Sequence, residues 1–167
     1  MNILEVQGDI THCPEGINVI IHQANINRKM ASGVAKAICD KWPVVRKTDL
    51  ENQPDLISNF LGTVSFCEVE LNPLTYVFNL YGQSLYWDSL AGCRTDYNAV
   101  VRGFSKIKVA IDHLVENEFN PVIGIPKYMG CDLAGGNWEI YYKIIEQTFI
   151  DTDTKIVIVN FGKTITR

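Results

Sequence analysis

Several short stretches carry residues able to bind or activate something. The longest is PKYMGCDLAGGNW, residues 126–138. Gly130, Gly135 and Gly136 let backbone come close to another group, because no Cβ intervenes. A helix predicted from about Asn137 would add free N–H groups and the positive end of a dipole. Such a loop before a helix makes an anion site, most often for phosphate. The same glycines would also serve a plain tight turn. Within the loop, Asp132 is a carboxylate that could act as a base. Cys131, beside the expected helix start, would have a lowered thiol pKa if it faced that terminus, or simply be a small core residue. His22 sits in an apolar run and reads either as a base or orienter, or as a satisfied core histidine. Asp88, Arg94 and Asp96 could reach a ligand, with Asp96 better placed to cap a helix.

These residues need elements to hold them. Residues 2–7 alternate as a strand that ends in a turn at Gly8, Asp9, Ile10 and Thr11. Residues 19–24, VIIHQA, are nearly all apolar at first and suit a strand buried on both faces. Residues 34–42 form a helix with Val34, Ile38 and Trp42 on one face, and Pro43 breaks or restarts it. A short helix is predicted over 52–61, with Leu56, Phe60 and Leu61 inward. Residues 63–69 alternate as a strand, Asn72 and Pro73 turn the chain, and residues 75–80 run back antiparallel. A long loop follows from Tyr81, Gly82 and Gln83 to Arg94. Residues 96–118 carry Val100, Phe104, Ile107, Ile111 and Leu114 on one stripe, a long amphipathic helix. A core strand over 121–125, the glycine-rich loop, a helix to Phe149 and a strand over 155–159 complete the order. Strands alternating with helices give a mixed, largely parallel sheet covered on both faces. Ligands bind such sheets beyond the carboxyl ends of the strands. Asp9, Asn25, Tyr81, the glycine-rich loop and Asn160 with Phe161 all fall at those ends.

The 167 residues, 47% hydrophobic with a net charge of −4, fit one domain with a full core. That charge argues against a nucleic-acid groove. The five cysteines lack CxxC spacing and read as reduced thiols, and no cluster suits a metal. The N-terminus lacks the features of a signal peptide, and no run approaches the roughly 20 apolar residues of a membrane span. A cytoplasmic protein is the expectation.

GDIT at 8–11, IHQAN at 21–25, ASGVA at 31–35, NLYGQ at 79–83 and the glycine-rich loop before Trp138 together resemble the macro domain family, in order and over essentially the whole chain. Within the family, the resemblance is to the branch of ADP-ribose-1″-phosphate phosphatases and terminal ADP-ribose protein glycohydrolase. It implies a three-layer α/β/α fold with a six-stranded, mixed, largely parallel sheet, formed by residues 1–167 as a single macro domain. It implies ADP-ribose or a derivative as ligand, an ADP-ribosylated protein or nucleic-acid end as partner, no cofactor, and a monomer. Asp9 would accept from the adenine amino group and the Ile10 amide would add a contact. Asn160 or Phe161 would flank the adenine or its ribose. The pyrophosphate would lie between Ser32, Gly33 and Val34 on one side and Leu133, Ala134, Gly135, Gly136 and Asn137 on the other. Asn25 would bond the distal ribose, and Tyr81 would contact the ligand.

The family's glycohydrolases use a lysine at the end of the fourth strand and a loop aspartate. Here NLYGQ offers no lysine, and Ala134 stands in the aspartate's place. What is left is attack by an activated water, with Asp132 as base, His22 as base or orienter and Asn25 positioning the ribose. Hydrolysis of ADP-ribose-1″-phosphate or of an ADP-ribosyl adduct is one expectation, and a reader that binds without turnover is the other.

Overall fold

The computed structural model describes residues 2–53, 59–84 and 93–162. Along these run β1 (Asn2–Gln7), β2 (Val19–Asn25), α1 (Gly33–Lys41), α2 (Pro43–Glu51), β3 (Val64–Leu71), β4 (Leu74–Gln83), α3 (Tyr97–Glu116), β5 (Val122–Pro126), α4 (Trp138–Thr148) and β6 (Lys155–Asn160). The sheet order is β1-β6-β5-β2-β4-β3. Every neighbouring pair is parallel except β3 with β4. Parallel strands must be covered on both faces, and β2 accordingly buries Val19, Ile20, Ile21 and His22 in succession.

The two faces make two cores. Phe104 and Ile107 of α3 and Tyr141 and Ile145 of α4 pack on Ile21, Phe78, Ile125 and Ile158. On the opposite face, Ile38 and Trp42 near α1 and Val45 of α2 pack on Ile20, Val77, Val157 and Val159. The result is the mixed, three-layer α/β/α architecture expected from the sequence. Among the described residues, no helix is long and apolar enough to cross a membrane.

Two boundaries differ from the sequence reading. Pro43 restarts a helix at once, because proline at a first helical position gives up an N–H that has no partner there anyway. A helix therefore occupies Pro43–Glu51, and the middle of the helix expected over 52–61 falls outside the described residues. Residues 54–58, with Leu56, lie outside the description, while Phe60 is buried in the α2-side core. The second difference is β4, which continues through Tyr81, Gly82 and Gln83. Ladder pairing with β2, Ala24 to Tyr81 and Asn25 to Gln83, holds these residues in the sheet. Asp88 also lies outside the described residues. Asp96 caps α3 as expected, its carboxylate accepting from the Ala99 amide at 2.9 Å.

Candidate functional site

All five parallel strands end on one rim, where a cleft of about 930 Å³ opens. Asp9 and Ile10 enter it from β1, Asn160 and Phe161 from β6, and residues 126–130 and 132–134 from β5. His22, Gln23 and Asn25 come from β2, Gln83 from β4, and Ser32, Gly33 and Val34 from the start of α1. Of the residues expected at a ligand, Asp132, Leu133 and Ala134 also line the cleft, while Tyr81, Gly135, Gly136 and Asn137 do not.

The α1 wall keeps its amides open. Ser32 occupies the cap position without a side-chain hydrogen bond. Gly33 follows at φ 57°, a left-handed conformation that suits glycine. The amides of Gly33, Val34 and Ala35 belong to the first helical turn and have no carbonyl to reach. All three residues line the cleft, so the positive end of this helix faces it.

The glycine-rich loop behaves otherwise. The Gly135 amide donates to Asp132 O at 3.0 Å and the Gly136 amide to Gly130 O at 2.9 Å. The Asn137 amide donates to the Tyr97 hydroxyl at 2.7 Å. Asn137 then caps α4 itself, accepting from the Glu139 amide at 2.8 Å. Gly135, Gly136 and Asn137 are thus structural, which corrects their assignment as ligand contacts. A Cβ on Gly136 would meet Gly130 O at 2.5 Å. The close approach these glycines permit is to their own loop. By contrast, the amides of Asp132 and Leu133 make no hydrogen bond within the described residues.

A latch behind the loop holds it in shape. The Thr95 hydroxyl donates to Gly130 O at 2.6 Å and accepts from Gln23 Nε2 at 3.2 Å. The Tyr141 hydroxyl donates to Gln23 Oε1. The Arg94 and Thr95 amides both donate to Ala134 O, and the Arg94 guanidinium donates to Leu133 O. Thr95, Gln23, Tyr97 and Tyr141 were not singled out in the sequence. Locally these are ordinary residues of a strand, a helix or, for Thr95, a loop, and only the three-dimensional register brings them together at residues 126–138.

At the β1 end, Asp9 caps a short turn: its Oδ1 accepts from the Thr11 amide at 2.9 Å and the Thr11 hydroxyl at 2.7 Å. Burial works to raise its carboxyl pKa, but the Thr11 bonds and the charges of His12 and Lys41 outweigh this and hold it below the ordinary value. Its second oxygen carries no bond within the described residues. Phe161, after β6, and Tyr128, after β5, line the same cleft with exposed rings, and Tyr128 was not among the residues expected at a ligand.

At the β2 end, the Asn25 carboxamide clamps its own turn. Nδ2 donates to Lys29 O at 2.9 Å and Oδ1 accepts from the Lys29 amide at 3.1 Å. One N–H and one lone pair remain for other partners. Asn27, Lys29, Gln83 and Arg94 also line the cleft; Gln83 belongs to the NLYGQ stretch and Arg94 was expected within reach of a ligand, while Lys29 carries no motif signal.

His22 lines the cleft floor but is almost wholly buried. Its Nε2 lies 2.6 Å from Asn79 Oδ1, and Nδ1 makes no hydrogen bond among the described residues. Burial lowers its pKa to about 4, against the opposing pull of Asn79 and the Gln23 main chain. The imidazole is neutral at physiological pH. Asp132 is exposed at the rim. Burial, with the charges of Asp132 and Cys93, pushes the Cys131 thiol up to about 11, the opposite of an activated thiolate. Tyr81 is fully buried on the α2 side, its hydroxyl donating to Asp49 Oδ1 at 2.7 Å. This corrects its expected place at the ligand: a side chain two positions beyond Asn79 on the same strand shares that residue's face, beneath α2.

No family model and no curated protein sequence matches the chain. Solved structures do. A protein of unknown function from Bacteroides thetaiotaomicron superposes with a TM-score of 0.78 at 26% identity, over 96% of this chain and 99% of that one. A macrodomain protein from Streptomyces coelicolor gives 0.71 at 23%, over 96% and 100%. Thermosipho africanus DarTG, solved in complex with ADP-ribose, gives 0.71 at 14%, over 96% of this chain and 42% of that one. The chain has the macro domain fold.

Proposed function

We propose that the chain binds ADP-ribose along this cleft as a single macro domain and hydrolyses a bond at the distal ribose by attack of water. The observation that carries the reading is that two sets of amides without partners among the described residues, Gly33 to Ala35 from α1 and Asp132 with Leu133 from the loop, belong to residues lining one cleft, together with the Asp9 carboxylate and Asn25. Two rows of N–H donors with a helix dipole behind one of them suit a pyrophosphate, and need no lysine. The unused Asp9 oxygen accepts from the adenine amino group, the Ile10 amide adds a contact, and Phe161 and Tyr128 supply aromatic faces. Asn160 flanks the proximal ribose. The distal ribose then reaches Asn25, His22 and Asp132. Binding of ADP-ribose by the Thermosipho africanus protein of the same fold is consistent with this placement.

Chemistry at that end rests on few groups. Asp132 is the one carboxylate of the glycine-rich loop, and it activates the water if it turns inward. His22 is neutral and can accept a proton. Asn25 positions the ribose with the N–H and lone pair its turn leaves over. The exposure of Asp132 at the rim favours a second reading, a reader that binds ADP-ribose without turnover.

Calorimetry with ADP-ribose tests the binding, with Asp9→Ala as control; binding that Asp9→Ala leaves unchanged overturns the pose. Phosphate release from ADP-ribose-1″-phosphate, and ADP-ribose release from a modified peptide, test turnover. Binding with neither product establishes the reader.

A further inference from the structure

Beneath the cleft, five buried side chains from three strands and a helix form one continuous hydrogen-bonded line. His22 Nε2 meets Asn79 Oδ1 at 2.6 Å. Asn79 Nδ2 donates to Ser65 Oγ at 3.1 Å. Ser65 Oγ lies 3.0 Å from the Tyr81 hydroxyl, which donates to Asp49 Oδ1 at 2.7 Å. Strand register builds the line: His22 pairs with Asn79 across β2 and β4, and Ser65 with Asn79 across β3 and β4.

The line has a direction. An ionised carboxylate only accepts. Burial holds the Asp49 carboxyl above its ordinary value, with the Tyr81 hydroxyl bond and the charges of Arg28 and Arg46 opposing it; the geometry here, with the Tyr81 hydroxyl 2.7 Å from Oδ1, is that of a carboxylate accepting. Tyr81 is held neutral by burial, and its single proton goes to Asp49. Its oxygen must therefore accept, so the single Ser65 proton goes to Tyr81. The Ser65 oxygen accepts in turn, which selects Nδ2 of Asn79 as its donor and leaves Oδ1 facing His22. His22 Nε2 must then carry the hydrogen. Nδ1 is left bare, and nothing among the described residues donates to it.

We propose that Asp49 fixes the tautomer of His22 through this chain, making Asn79, Ser65 and Tyr81 positioning residues, and that the bare Nδ1 accepts an O–H from what binds in the cleft. A ribose hydroxyl or a water satisfies it, whereas an ionised phosphate oxygen, which has no proton to give, does not. The identity of that hydroxyl rests on the proposed ADP-ribose reading, while the tautomer does not.

Nitrogen NMR of the histidine-labelled full chain at neutral pH tests both halves. His22 is expected as one species, with Nε2 protonated and Nδ1 in the range of an unprotonated nitrogen. Tyr81→Phe frees the Ser65 proton to turn toward Asn79, so the amide can reverse and a second, Nδ1-protonated species appears. Ser65→Ala cuts the same line while keeping the Tyr81–Asp49 bond, and reads the link if Tyr81→Phe does not fold. A protonated Nδ1 in the unaltered chain, or folded variants that keep one tautomer, overturns the relay. Adding ADP-ribose should move the Nδ1 resonance in the direction of hydrogen bonding, and adding ADP should not, which assigns the donor to the distal ribose. A resonance already in the hydrogen-bonded range without ligand assigns it to water. Calorimetric binding of ADP-ribose with Nδ1 still in the range of a free nitrogen overturns the ligand half. Absence of ADP-ribose binding overturns the proposed function and leaves the tautomer result standing.

Discussion

The two walls of the cleft spend their backbone differently. On the α1 wall, Gly33, Val34 and Ala35 present amides with no partner inside the helix. On the facing wall, Gly135, Gly136 and Asn137 give their amides to Asp132, Gly130 and Tyr97. Both walls contain glycine, and both adjoin a helix start. Only one leaves that start open toward the cleft, because Asn137 caps α4 while Ser32 makes no cap bond. Glycine content reports that backbone is approached closely. What approaches it has to come from the geometry. The α1 wall, with the open Asp132 and Leu133 amides opposite, should therefore govern affinity, and the Gly135–Asn137 part of the loop wall stability.

The largest effect concerns the floor between them. His22 has a pKa of about 4 when folded against 6.5 as its reference value. Above pH 6.5 the ring is neutral in both states and contributes no pH dependence. As pH falls from 6.5 to 4 the unfolded chain takes up a proton that the folded chain refuses, so stability is lost, by roughly 3 kcal/mol in total. Denaturant unfolding across that range should show a loss that His22→Gln lacks; equal slopes would mean that His22 is protonated in place.

Gly136→Ala comes next. Its Cβ would sit 2.5 Å from Gly130 O, and backbone cannot yield cheaply. A cost of about 2–3 kcal/mol in the unfolding midpoint is expected. Val34→Pro removes one open amide at a first-turn position where proline is tolerated. It should weaken ADP-ribose binding by about tenfold to a hundredfold, the worth of a charge-assisted hydrogen bond, with the melting temperature little changed. Smallest is Asn137→Ala, expected to cost about 1 kcal/mol of stability through the lost cap and to leave affinity alone. If Asn137→Ala weakened binding while Val34→Pro did not, the roles of the walls would be reversed.

The sequence made the α1 wall readable because its signals are local: Ser32 before Gly33, then Val34, Ile38 and Trp42 on one helical face. His22 was readable as either buried or reactive, and it is buried, since four consecutive residues of β2 lie inside a parallel sheet. Tyr81 was misplaced because Gly82 imitates the start of a loop, while pairing of β4 with β2 keeps both in the sheet. The relay from Asp49 to His22 could not be read at all. Its bonded partners are separated by up to 57 positions and meet only through the registers of β2, β3 and β4. Thr95 escaped for the same reason: nothing around it in sequence says that its hydroxyl will hold Gly130 O.

That latch has a consequence for time rather than energy. With Gln23, Thr95, Tyr97 and Tyr141 holding the loop wall from behind, its main chain is already in one arrangement before anything enters. Association then need not wait for the wall to order, and little conformational entropy is lost there on binding. The amides of Gly136 and Asn137 should exchange with deuterium as slowly as those of neighbouring α4, opening together with α3 and α4 rather than as a separate surface loop.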